Sequence, residues 1–149
     1  MREILFRGKR ISNGEWVYGG IMKVFNSNFK SESEEDLINF VPNCYSICAD
    51  GRLYPVHQES IGQYTGLDDK NGKKIFEGDI VKVFDRPRNR DVFGLIKFGK
   101  FAFNVLFYID WEKTLTGSNI LMTELGYWHD KIEIIGNKFE NPELVEVEE

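Results

Sequence analysis

The chain has 149 residues and a formal net charge of −5, with 42% hydrophobic, 14% aromatic and 29% charged residues. These figures describe one ordinary globular domain or two very small ones, and they exclude a disordered or low-complexity chain. No apolar run approaches the ~18 residues of a membrane span, and two cysteines make no disulfide framework, so the expected setting is reducing and cytoplasmic with no membrane contact.

The first elements read as strands. In REILFRGKR, Ile4 and Phe6 alternate with charged neighbours, as on a half-buried strand and unlike a signal peptide. Asn13-Gly14 is a hairpin turn dipeptide. After it, EWVYGGIMKVF predicts a strand interrupted at Gly19-Gly20 by a bend or bulge. Residues 26–36 are polar and turn-rich, and a short helix is expected from a Ser33 cap through Asp36 and Leu37. CYSICADGRLYPV predicts two strands around Asp50-Gly51, the second at a sheet edge because of Pro55. HQESIGQYTG, residues 57–66, reads as a join, so subdomains at 1–60 and 61–149 are expected within a single domain over 1–149.

The second half continues in the same style. Asn71-Gly72 marks a turn, Gly78-Asp79 a break, and IVKVF a strand. Residues 91–109 predict a hairpin turning at Gly99-Lys100. Phe101, Phe103, Val105, Phe107 and Ile109 then face one buried side, joined by Ile80 and by Val81 or Val83. Residues 118–125 predict a helix stopped by Gly126, and KIEIIG a last strand. Asn141-Pro142 suits an N-cap followed by proline at the first helical position. The fold class is therefore mainly β, a barrel or sandwich with one or two short helices.

Few residues point to chemistry. Asp69, Asn71 and Gly72 imitate a calcium loop, but Leu67 and Gly78 stand where its end ligands belong. Cys44 and Cys48, with His57 and His129, lack a second metal knuckle and read as small buried apolar residues. No nucleophile elbow or phosphate loop occurs. Asp68, Asp69, Glu77 and Asp79 could serve acid-base or magnesium chemistry, but acids in hairpin turns have a conformational reason to be there. No catalytic residue, cofactor or metal ligand is assigned, and the expectation is a protein that is not an enzyme.

The charges are unevenly spread. Residues 31–36 hold four acids, and residues 139–149 hold five acids and no base, which leaves the rest of the chain neutral. Residues 1–30 hold Arg2, Arg7, Lys9, Arg10, Lys23 and Lys30, and KVFDRPRNRD holds Lys82, Arg86, Arg88 and Arg90. Such runs are solvated faces, or they are basic patches meeting the acidic tail of another subunit or an anionic partner. Arg7, Arg10, Arg86, Arg88 and Arg90 are the candidate contact residues. The 12 Phe, 6 Tyr and 3 Trp are many rings for a small body to hide, which favours a homo-oligomer with a protein partner. A β-barrel binding single-stranded nucleic acid is the alternative.

Three blocks carry a family resemblance: REILFRGKR followed by GEWVYG, then IGQYTGLDDKNGKKIFEGDIVKV, then IEIIGNKFENPELV. Together and in order they resemble the YopX family of phage and prophage proteins. The resemblance implies a phage or prophage origin in a bacterial host, a mainly β fold with a barrel-like part similar to an SH3 barrel, and an oligomer. It implies no activity.

Overall fold

Residues with positive φ mark most of the places where this chain turns. The computed structural model describes residues 3–23, 44–101, 104–111 and 123–145. By its internal contacts the chain divides into two units, Met1–Gln63 and Tyr64–Glu149.

In the first unit, β1 (Phe6–Lys9) and β2 (Trp16–Lys23) form an antiparallel hairpin. Its loop is closed by Arg10 N–H donating to Glu15 O at 2.9 Å, with Gly14 at φ 69°. β3 (Tyr45–Ala49) and β4 (Arg52–Val56) join through Asp50 (φ 52°) and Gly51 (φ 73°), the conformation a two-residue hairpin turn demands. The anticipated interruption of β2 takes a particular form. Residues up to Gly19 pair with β1, and from Gly20 onward they pair with β3, so one continuous strand changes partner at the glycine pair. A side chain at Gly19 would overlap the Cys48 carbonyl, so the change of partner needs glycine there.

The end of β4 returns towards β1. Arg10 and Val56 form an antiparallel bridge, flanked by Ile11 N–H to Pro55 O at 3.0 Å and His57 N–H to Lys9 O at 2.9 Å. Ile47 and Val56 are buried here. A 3-10 turn at Gln58–Ser60 follows, in which the buried Ser60 hydroxyl accepts from Lys9 N–H and donates to His57 O. The order of these four strands is β4-β3-β2-β1.

β5 (Gly62–Asp68) begins in the first unit and ends in the second, where it pairs with β6 (Lys74–Phe76). β7 (Asp79–Asp85), β8 (Arg90–Phe101), β9 (Asn104–Asp110), β10 (Thr123–Glu124) and β11 (Glu133–Asn137) form an antiparallel sheet ordered β10-β9-β8-β7-β11. Helix α1 (Leu125–Trp128) and 3-10 turns at His129–Lys131 and Pro142–Leu144 complete the unit. The protein is thus mainly β, and among the described residues its sheets are open, with no closed barrel.

The core of the second unit gathers Ile75, Val81, Val92, Ile96, Ile109, Trp111, Leu125 and Ile132, all buried. Cross-strand pairs Val81↔Gly94, Val83↔Val92 and Ile96↔Ile109 place the strand members on one face. Trp111 lies over Gly94, donates Nε1–H to Thr123 Oγ1 at 2.9 Å, and meets the edge of Trp128 at 5.9 Å.

Several expectations change. Gly99-Lys100 is not the reversal: Gly99 pairs with Leu106 and Lys100 with Val105, so the turn lies beyond Phe101. The predicted face is correct for Ile109 and the half-buried Phe107, but Val105 is 67% exposed because the hairpin outruns the core. Ile80 is buried on the opposite face. Thr123 and Glu124 pair with β9 as strand, the helix begins only at Leu125, and it includes Gly126. The rest of the expected helix at 118–125, the loop at 26–36, its Ser33 helix and Phe103 lie outside the described residues. Cys44 is half-buried and Cys48 exposed, both free, where burial was expected.

At Gly94 a Cβ would overlap Ile109 and sit 2.7 Å from the Trp111 ring, whereas at Gly99 the nearest atom would be 3.9 Å away. Chemical denaturation should therefore show Gly94→Ala losing about 1–3 kcal/mol by overpacking, and Gly99→Ala almost nothing. Equal losses would discredit the packing described here.

Candidate binding cleft

The loop after β7 shows how sequence shapes the cleft rim. Arg86-Pro87-Arg88-Asn89 joins β7 to β8 below the Asp85↔Arg90 pair. Pro87 presets φ at the second turn position, Asn89 N–H donates to Arg86 O, and Asn89 takes φ 51°. Arg88 turns back onto Asp85 at 3.0 Å.

Beside this loop the second unit holds an open cleft of about 460 Å³. Its floor is cross-strand: Lys82 of β7 stands opposite Glu133 of β11, and Asp91 of β8 lies diagonally across. Lys82 Nζ sits 3.8 Å from Glu133 and 4.0 Å from Asp91, and Lys70 approaches Glu133 at 3.4 Å. Arg86, Lys131, Phe84 and Trp128 line the remaining walls. Lys131 is engaged locally, donating to Tyr127 O at 2.7 Å and to Asp130 at 3.0 Å, which draws the Asp130 carboxyl below its usual range. The lining carries four cations and two carboxylates, an excess of positive charge beside two aromatic residues.

The turn at Asp69 holds the cleft together. Its buried carboxylate accepts from Asn71 N–H and Lys73 N–H at 2.9 Å, and from Ile134 N–H at 3.0 Å. Lys70 N–H also donates to Ile132 O at 3.1 Å. Burial alone would raise the Asp69 carboxyl. The three main-chain donors, with the Lys73 ammonium, outweigh it and lower the pKa. Two of the other acids considered for catalysis are also engaged: Asp68 accepts from the Tyr64 hydroxyl at 2.7 Å, and Asp79 is buried and accepts from Phe76 N–H at 2.8 Å. Among the described residues no three His, Cys, Asp or Glu gather as a metal site.

The five candidate arginines scatter. Arg86 alone lines the cleft, Arg88 is tied to Asp85, and Arg90 is exposed at the start of β8. Arg7 is buried and lies over the Trp16 ring at 4.8 Å, so it is withdrawn from the surface rather than offered to a partner. Arg10 covers Tyr54 at 4.5 Å and pairs with Glu15 at 3.7 Å. Lys70, Lys131, Trp128 and Glu133 were not anticipated. The one usable signal was opposite charge on facing strands, Lys82 against Glu133.

The protein is mainly β, with glycine turns at Gly72 and Gly78 in its central segment. The sequence profile described as YopX protein matches residues 5–146, and the chain belongs to the YopX family. A crystal structure of protein EF1440 from Enterococcus faecalis is similar in fold, with TM-score 0.51 and 21% identity, covering 98% of this chain and 100% of that one. No curated protein matches.

Asp69 should make the fold acid-sensitive. Its pKa is depressed on folding, so its contribution is full above the ordinary value of 3.8 and fades as pH falls through the lower folded value. Asp69→Asn should cost about 1.5–3 kcal/mol at neutral pH, and the gap to wild type should close in acid. A gap that stays constant with pH in denaturant titrations would count against this role.

Proposed function

We propose that this chain is a non-enzymatic accessory protein of a phage or prophage, acting as a homo-oligomer that binds protein in the cytoplasm of a bacterial host. The observation that carries the reading is the outer end of the β8–β9 hairpin. There the core face continues past Ile96 and Ile109 into Phe98, Phe107 and Val105, with Phe98 and Phe107 rings 4.8 Å apart and Phe98 49% exposed. Apolar side chains on a continuous strip of this kind mark contacts more often than chance exposure does. Family membership is consistent with the phage origin and names no activity.

Single-stranded nucleic-acid binding has less support. It needs uncovered ring faces beside cations. Here the chain's own cations lie over four of its rings, Lys9 over Trp16 at 5.1 Å, Lys23 over Tyr45 at 5.3 Å, Lys74 over Tyr64 at 4.4 Å and Lys131 over Tyr127 at 4.2 Å, which leaves Phe84 as the exposed ring beside the cations of the cleft.

Sedimentation velocity at micromolar concentration should show more than one chain per particle, and Phe98→Ser with Val105→Ser should shift it towards monomer. A monomeric wild type would refute the oligomer.

A further inference from the structure

The cleft of the second unit has more cations than its own carboxylates neutralise. Lys82 and Lys70 share Glu133, Lys82 also reaches Asp91, and Lys131 holds Asp130. Arg86, on the rim, has no ion-pair partner among the described residues. A guanidinium so placed is suited to clasp a carboxylate through two parallel hydrogen bonds. The complementary charge is in the same chain. Glu146, Glu148 and Glu149 crowd residues 146–149, and residues 139–149 hold no base.

The path of the chain favours a neighbour's cleft over its own. β11 starts at Glu133 on the cleft and ends at Asn137, which pairs with Asp79, about 13 Å further along. Asn141 is then held back by a 2.8 Å bond from its N–H to Asn137 O, and Lys138 N–H by one to Gly78 O. The described chain after β11 is therefore anchored at Lys138 and Asn141, by the end of the strand remote from the cleft.

We infer that the cleft bounded by Arg86, Lys70, Lys82 and Lys131 receives the acidic residues 146–149 of a second copy of this chain. The inference rests on the oligomer proposed above and supplies one of its contacts. The contact adds to apolar association and weakens with salt, because exposed pairs contribute little individually and are screened.

The test uses the full chain, a chain ending at Val145, and Arg86→Glu. Sedimentation across a concentration series should show each variant associating about tenfold more weakly than wild type at low salt, with an unchanged far-ultraviolet spectrum. An equimolar mixture of the two variants should recover association as mixed particles, because each mixed pair has one intact cleft and one intact tail. A contact within one chain allows no such recovery. An oligomeric wild type that is unaffected by loss of residues 146–149 would overturn this inference and leave the oligomer standing. Variants that weaken without recovery on mixing would also overturn it. A monomeric wild type would overturn both.

Discussion

The Asp69 carboxylate meets three main-chain N–H groups from two pieces of chain: Asn71 and Lys73 in its own turn, and Ile134, 65 residues later in sequence. Ionised carboxylates accept such bonds more strongly than neutral groups, and a buried one left without them would be costly. The bond to Ile134 and the neighbouring bond from Lys70 to Ile132 fix β11 against the β5–β6 turn. That attachment puts Glu133 in reach of both Lys70 and Lys82. The cleft thus depends on a carboxylate that does not line it.

The surface follows a second rule. Aromatic rings and cations, both abundant, are paired within the chain. Arg7 and Lys9 share Trp16, and Arg10 lies over Tyr54. Each such contact is weak when exposed, but the long apolar stems of lysine and arginine cover ring area that would otherwise meet water. Arg86 and Arg90 stand apart from this pattern among the candidate arginines, with no ring or carboxylate partner among the described residues, and of the two only Arg86 lines the cleft.

The turns were legible because they are local. Asp50-Gly51 and Asn71-Gly72 need positive φ, few residues supply it, and the dipeptides announce it. Val81 and Ile109 were legible as core because period two fixes a face. What alternation cannot encode is where along a strand the covering layer stops, so Val105 shared the phase of Ile109 without its burial. The reversal at Gly99-Lys100 was misplaced because glycine there lies within a paired strand rather than in a turn. Arg7 looked like surface charge, and only the fold shows the Trp16 ring beneath it. The cleft was half visible: Lys82 and Arg86 belong to one basic run, but Lys70, Lys131 and Glu133 arrive from distant segments. Pairing register, which brings them together, is a non-local property.

Trp111 lying directly over Gly94 joins two positions 17 residues apart into one unit of inheritance. Neither can vary freely while the other is kept. A larger residue at position 94 requires a smaller ring at 111 and a smaller side chain at 109, and a smaller ring at 111 leaves a void that a larger neighbour fills. Across the YopX family the two positions should therefore covary, exchanging size in compensating pairs wherever β8 and β9 keep this register.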